Sequence, residues 1–138
     1  MHPRDRFYTK THEWVKVEGN IATVGITSHA VEQLGDITYV EVKPVGTEVK
    51  QGEPLGDIES SKTADKIYAP VSGVIVEVNK ESGISTEEEE GDEEGLEKLS
   101  DDPYGEGWIV KIEIKDPNEI RNLMTAEDYE KFLEREVH

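Results

Sequence analysis

Gly46-Thr47-Glu48-Val49-Lys50-Gln51-Gly52-Glu53-Pro54-Leu55-Gly56-Asp57-Ile58-Glu59-Ser60-Ser61-Lys62-Thr63-Ala64-Asp65-Lys66-Ile67-Tyr68-Ala69-Pro70-Val71-Ser72-Gly73 is the stretch on which the fold turns. Gly and Pro punctuate it closely. Two strand-like halves flank Glu59-Ser60-Ser61-Lys62-Thr63-Ala64, a run of small residues with Lys62 near its centre. Small and hydroxylated residues suit a turn, and such a turn presents its one long side chain to solvent with little shielding. An ε-amine placed there is open to acylation, which removes its charge. The flexible lysine stem adds reach to whatever is attached.

Outward from that hairpin the chain reads as mostly strand. Trp14 to Val17 and Ile21 to Ile26 flank the turn Glu18-Gly19-Asn20. Ile37 to Val42, Gly73 to Val78 and Trp108 to Ile114 are β-branched and partly alternating, as half-buried strands should be. Short strands with dense turns predict a small barrel or sandwich. Helices are expected in two places. Ser28 to Leu34 closes on Gly35, and Thr125-Ala126-Glu127-Asp128 caps a segment with Tyr129, Phe132 and Leu133 at helical spacing.

Composition excludes several classes. Fifteen Lys and Arg against 32 Asp and Glu leave a net charge of −17. Nucleic-acid binding and attraction to an anionic membrane both need a basic footprint that is missing here. No apolar run approaches a membrane span. Met1-His2-Pro3-Arg4-Asp5-Arg6 lacks the apolar stretch of a signal peptide, so a cytoplasmic location is expected. Without cysteine there is no disulfide, thiolate metal site or cysteine nucleophile. The four histidines are scattered, the zinc-protease helix pattern fails after His12-Glu13, and no phosphate loop or nucleophile elbow occurs. Neither catalysis nor a metal site is therefore expected. At 138 residues the chain should form one domain. Its acidity is concentrated: Glu81 to Asp102 holds eleven acidic residues and one lysine, −10 of the −17. With no apolar residue from Glu87 to Gly95, this segment is expected to be a solvated, mobile loop at about 81–102.

Six stretches together resemble one family, the lipoyl-carrying H protein of the glycine cleavage system. They are Tyr8-Thr9-Lys10-Thr11-His12-Glu13-Trp14-Val15, Val24-Gly25-Ile26-Thr27, Leu34-Gly35-Asp36, Glu59-Ser60-Ser61-Lys62, Tyr68-Ala69-Pro70-Val71-Ser72-Gly73 and Asp102-Pro103-Tyr104-Gly105-Glu106-Gly107-Trp108. They follow the family's order, and the resemblance extends from Phe7 to about Leu133. Two rival carriers differ at the motif. A biotinyl carrier has methionines beside its lysine, where this chain has Ser61 and Thr63. Lipoyl domains of the 2-oxoacid dehydrogenases read Asp-Lys-Ala and lack the Thr-His-Glu-Trp opening.

The resemblance implies a mainly β barrel-sandwich hybrid of the lipoyl/biotinyl-carrier type. A short helix belongs to its N-terminal half, with further helices at the C-terminus. It implies lipoate amide-linked to Lys62 and a protein that carries but does not catalyse. The implied partners are a pyridoxal-phosphate glycine decarboxylase (P protein), a folate-dependent aminomethyltransferase (T protein), dihydrolipoamide dehydrogenase (L protein) and a lipoate-attaching enzyme. A monomer is expected. By the same correspondence Thr11, Glu13 and Gln33 line a cleft for the loaded arm, where Glu13 would hold a cationic amine through a charge-assisted hydrogen bond. Lys66 stands where the family commonly has Asp, and a cation there would oppose a positively charged group. Ser61 replaces the usual Val. An H-protein-like carrier in another pathway, lipoate relay or heterodisulfide-reductase-like sulfur oxidation, is the alternative, and a scaffold without lipoate is a third.

Overall fold

The computed structural model describes residues 2–136. Two antiparallel sheets hold the strands. The larger sheet has the order β1-β2-β3-β9-β8-β5, from Phe7–Tyr8, Glu13–Glu18, Ile21–Ile26, Val110–Ile114, Gly73–Val78 and Glu48–Val49. In the smaller one, β6 (Pro54–Ser60) lies between β4 (Ile37–Val42) and β7 (Ala64–Tyr68). The inward faces share one apolar cluster, with Val15, Val24, Ile67, Ile75 and Ile112 almost without exposure. This is the barrel-sandwich architecture expected from the sequence, and burying each such side chain contributes roughly 1.5–3 kcal/mol.

Helix α1 (Ser28–Leu34) forms where the sequence places it. Thr27 Oγ1 accepts from the Ala30 amide at 3.2 Å, and Gly35 closes the helix at φ +75°, a backbone that favours glycine. At the other end, α3 (Ala126–Glu136) starts behind Thr125, whose hydroxyl accepts from the Asp128 amide at 3.2 Å. Tyr129 turns inward to stack on Tyr8, ring centroids 4.8 Å apart, beside the buried Trp14. Tyr8 in turn exchanges two backbone hydrogen bonds of 2.8 Å with Met124. These contacts fasten the C-terminal segment over the Tyr8–Trp14 edge of the larger sheet.

The acidic segment departs from the loop expectation. It contains 3-10 turns at Lys80–Ser82 and Glu93–Leu96, followed by α2 (Glu97–Asp101). The reason lies in its flanks. Ile84, Leu96 and Leu99 are buried in the main cluster, and Gly95 lets the backbone close on itself. A Cβ there would sit 1.9 Å from the Glu81 carbonyl oxygen. Three apolar anchors offset the ordering of their own turns, since fixing a residue's backbone costs about 1–2 kcal/mol. They do not extend to Glu87–Glu90, which are irregular and exposed.

Candidate functional site

The β6–β7 hairpin brings Lys62 to its tip. Glu59 pairs with Ala64, and the Ser60 amide donates to the Thr63 carbonyl at 2.8 Å to close the turn. Ser60 also supplies a hydroxyl oxygen that accepts from the amides of Lys62 and Thr63 at 3.3 and 3.2 Å. This is the side-chain turn that serine offers the backbone in place of a ladder bond. A further bond of 2.9 Å runs from the Ser61 amide to the Asp36 carbonyl, tying the tip to the start of β4. Lys62 is exposed and its ammonium has no hydrogen bond or ion pair among the described residues. Its stem lies against Gly35: a Cβ there would stand 3.3 Å from Lys62 Cε. Glycine therefore closes α1 and leaves a shallow cradle for the lysine chain.

A second feature lies at the far end of β7. A cavity of about 270 Å³ opens between the Tyr8–Glu13 segment, Gln51, Tyr68, Leu123 and Met124. Its walls are pinned. Gln51 Nε2 donates to the carbonyls of Pro70 and Glu119 at 2.9 and 3.0 Å, and Gln51 Oε1 accepts from Asn122 at 2.9 Å. Inside lies Glu13, a carboxylate with 1% exposure. Thr9 and Thr11 hydroxyls donate to its Oε1 at 2.6 and 2.5 Å, while the Tyr68 amide donates to Oε2 at 3.2 Å. Burial pushes the Glu13 carboxyl up to about 7, against the opposing effect of these three donors; the Asp65 charge pushes in the same direction as burial.

Of the residues expected to line a cleft, Thr11 and Glu13 meet in this cavity. Gln33 is exposed on α1, and the cavity is lined without it. Lys66, expected to oppose a cationic ligand, does not line it either. Asp57 faces Lys66 across the β6–β7 ladder and takes its ammonium at 2.7 Å. The acidic group that acts on Glu13 from β7 is Asp65, one residue earlier. Thr9, the Tyr68 amide and the Leu123–Met124 wall were not singled out in the sequence. Thr9 carried a signal, sitting two residues before Thr11 in the same motif. A backbone amide and a wall from a distant segment carry none.

The comparisons agree on one family. The family model described as glycine cleavage H-protein matches residues 6–136. A protein named probable glycine cleavage system H protein, from Korarchaeum cryptofilum, is 61% identical over 136 residues, covering 95% of either chain. The glycine cleavage system H protein of Thermotoga maritima is 50% identical over 129 residues, with 94% of this chain and 96% of that one covered. A crystal structure of a glycine cleavage system H protein from Mycobacterium marinum superposes with a TM-score of 0.79 at 38% identity. That likeness covers 94% of this chain and 97% of the other.

Proposed function

The chain belongs to the glycine cleavage H-protein family, and we propose that it works as a lipoylated carrier through Lys62. The hairpin tip carries this reading: an exposed amine, unpaired among the described residues, on a turn held by Ser60, with a glycine cradle under its stem. Bound as an amide, lipoate supplies a disulfide end able to take up the aminomethyl group as glycine is decarboxylated. The protein's own residues present and protect. Ser60 and the Ser61–Asp36 bond hold the turn that offers Lys62 Nζ to an attaching enzyme. Tyr8, Leu123 and Met124 wall the cavity around Glu13. A loaded arm seated there would be shielded from water, which suits a reactive adduct that would otherwise hydrolyse. Glu13, already held by three donors, offers the cavity's buried carboxylate to a cationic amine.

On this reading the partners are the glycine decarboxylase, the aminomethyltransferase, dihydrolipoamide dehydrogenase and a lipoate-attaching enzyme, and the carrier performs no chemistry of its own. Tethering raises the local concentration of the reactive group at each partner. A cytoplasmic setting and a monomer belong to the same proposal; no helix among the described residues is long and apolar enough to cross a membrane.

Intact mass tests it. Incubated with lipoate, ATP and an attaching enzyme, the protein should gain one lipoyl group, and Lys62→Ala should gain none while keeping its melting temperature. The lipoylated protein should then support exchange of labelled bicarbonate into glycine by glycine decarboxylase. No mass increment would end the carrier reading. An increment without exchange, alongside an active H protein, would point to another lipoate-dependent pathway.

A further inference from the structure

A cluster that the carrier role does not use lies where three elements converge. His12 sits in the turn before β2, His29 in the first turn of α1 and Glu136 in the last turn of α3. One side-chain ligand atom from each lies within 4.8 Å of the other two. His12 Nε2 and Glu136 Oε2 are 3.4 Å apart, and the two imidazole centroids are separated by 4.7 Å. We propose that His12, His29 and Glu136 form a binding site for a divalent first-row transition ion of the zinc type.

Three features of the site support this. Two imidazoles and a carboxylate are the donor set that such ions prefer. Bonds of about 2.1 Å at a tetrahedral ion place neighbouring donors about 3.4 Å apart. His12 and Glu136 already stand at that separation. His29 Nε2 is buried and has no hydrogen-bond partner among the described residues, an unusual state for a buried nitrogen. An ion bound by this nitrogen would satisfy it.

The surroundings of His12 are also those of a ligand. Tyr129 Oη lies 2.7 Å from its Nδ1 and 2.7 Å from Thr27 Oγ1. With the proton on Nδ1 and donated to Tyr129, the Nε2 lone pair is free and its direction fixed; ligating histidines are commonly held this way. His12 is, moreover, the one non-glycine residue with positive φ among the described residues, at +70°. Such a conformation persists where the surroundings impose it. Here the His12 amide donates to the Thr9 carbonyl and its own carbonyl accepts from Thr27, at 3.1 and 3.0 Å. Three protein donors leave a fourth position for water. The ion would join the end of α3 to α1 and to the turn that continues into Glu13.

This proposal does not rest on the carrier reading, and its test involves neither lipoate nor glycine. Untagged full-length protein is stripped with chelator and titrated with zinc chloride by calorimetry. Cobalt(II) then serves as an optical probe of geometry. One ion per chain is expected, with micromolar affinity or tighter, the intense visible bands of tetrahedral cobalt and a raised melting temperature. His29→Ala and Glu136→Gln alter exposed or half-buried helix positions and should fold normally. Each should weaken binding about 100-fold or more, since even a partner behind a ligand is worth 10–100-fold. His2→Ala, outside the cluster, should bind as the parent does. Absence of uptake would overturn the proposal, as would uptake that survives His29→Ala.

Discussion

At the scale of single residues, Glu13 shows how burial and hydrogen bonding divide the control of one carboxyl. Three donors favour its anion and burial disfavours it; burial has the larger effect, so the folded value rises from 4.5 to about 7. A carboxyl whose folded value is raised binds its proton more tightly folded than unfolded. The native state is therefore penalised as pH climbs from about 4.5 through 7, and the penalty is complete above that range. Glu13→Gln removes the titration. In chelator-treated protein, the stability of this variant relative to the parent should improve between pH 5 and pH 8, by an amount of order 3 kcal/mol from the size of the shift. Denaturant unfolding at both pH values measures it, and parallel profiles for the two proteins would refute it. Thr11 and Glu13 were legible in the sequence because a motif carries them. The Tyr68 amide was not, since an amide has no residue signature and meets Glu13 through folding alone.

Among elements, the β6–β7 hairpin was the most legible, because turn chemistry is local: small residues, a serine that caps its own turn, strand-like halves on either side. The partner of Lys66 was less so. Reading along the chain set Lys66 against a family position that prefers Asp, whereas reading across the ladder sets it opposite Asp57. Like charges directly opposed on a strand pair are unfavourable, and unlike ones favourable. Lys66→Asp should therefore lower the melting temperature by placing two carboxylates face to face. The double change Asp57→Lys with Lys66→Asp should recover it. Thermal unfolding of the two singles and the double completes the cycle, and additive singles would show that the pair does not interact. Register decides this, and register was not available from one strand. The helical turns at Glu93–Asp101 escaped for a related reason: their apolar anchors, Ile84, Leu96 and Leu99, are few and lie on either side of a run that reads as pure solvent.

For the whole molecule, the question is what −10 in one segment does to a fold, since native states in general are only marginally stable. Lys80, just before the segment, bonds Glu89, and the one cation within it is Lys98, so most of the charge is uncompensated locally. Glu87, Glu88 and Glu90 are exposed and lie in the irregular part, where their removal disturbs neither buried anchor nor turn. Their mutual repulsion is screened by salt, as it must be for solvated charges within a Debye length of about 10 Å at 0.1 M. Changing all three to Gln should raise the melting temperature at low ionic strength. The gain should shrink steadily as salt is added, while lipoylation of Lys62 proceeds at the parent rate. A gain independent of salt would mean that side-chain packing, not charge, was altered. A slowed lipoylation at unchanged stability would make these glutamates part of what the attaching enzyme recognises. The expectation of no effect on lipoylation follows from the tip itself, where Ser60, Gly35 and the Asp36 carbonyl set the presentation of Lys62 without any of the three.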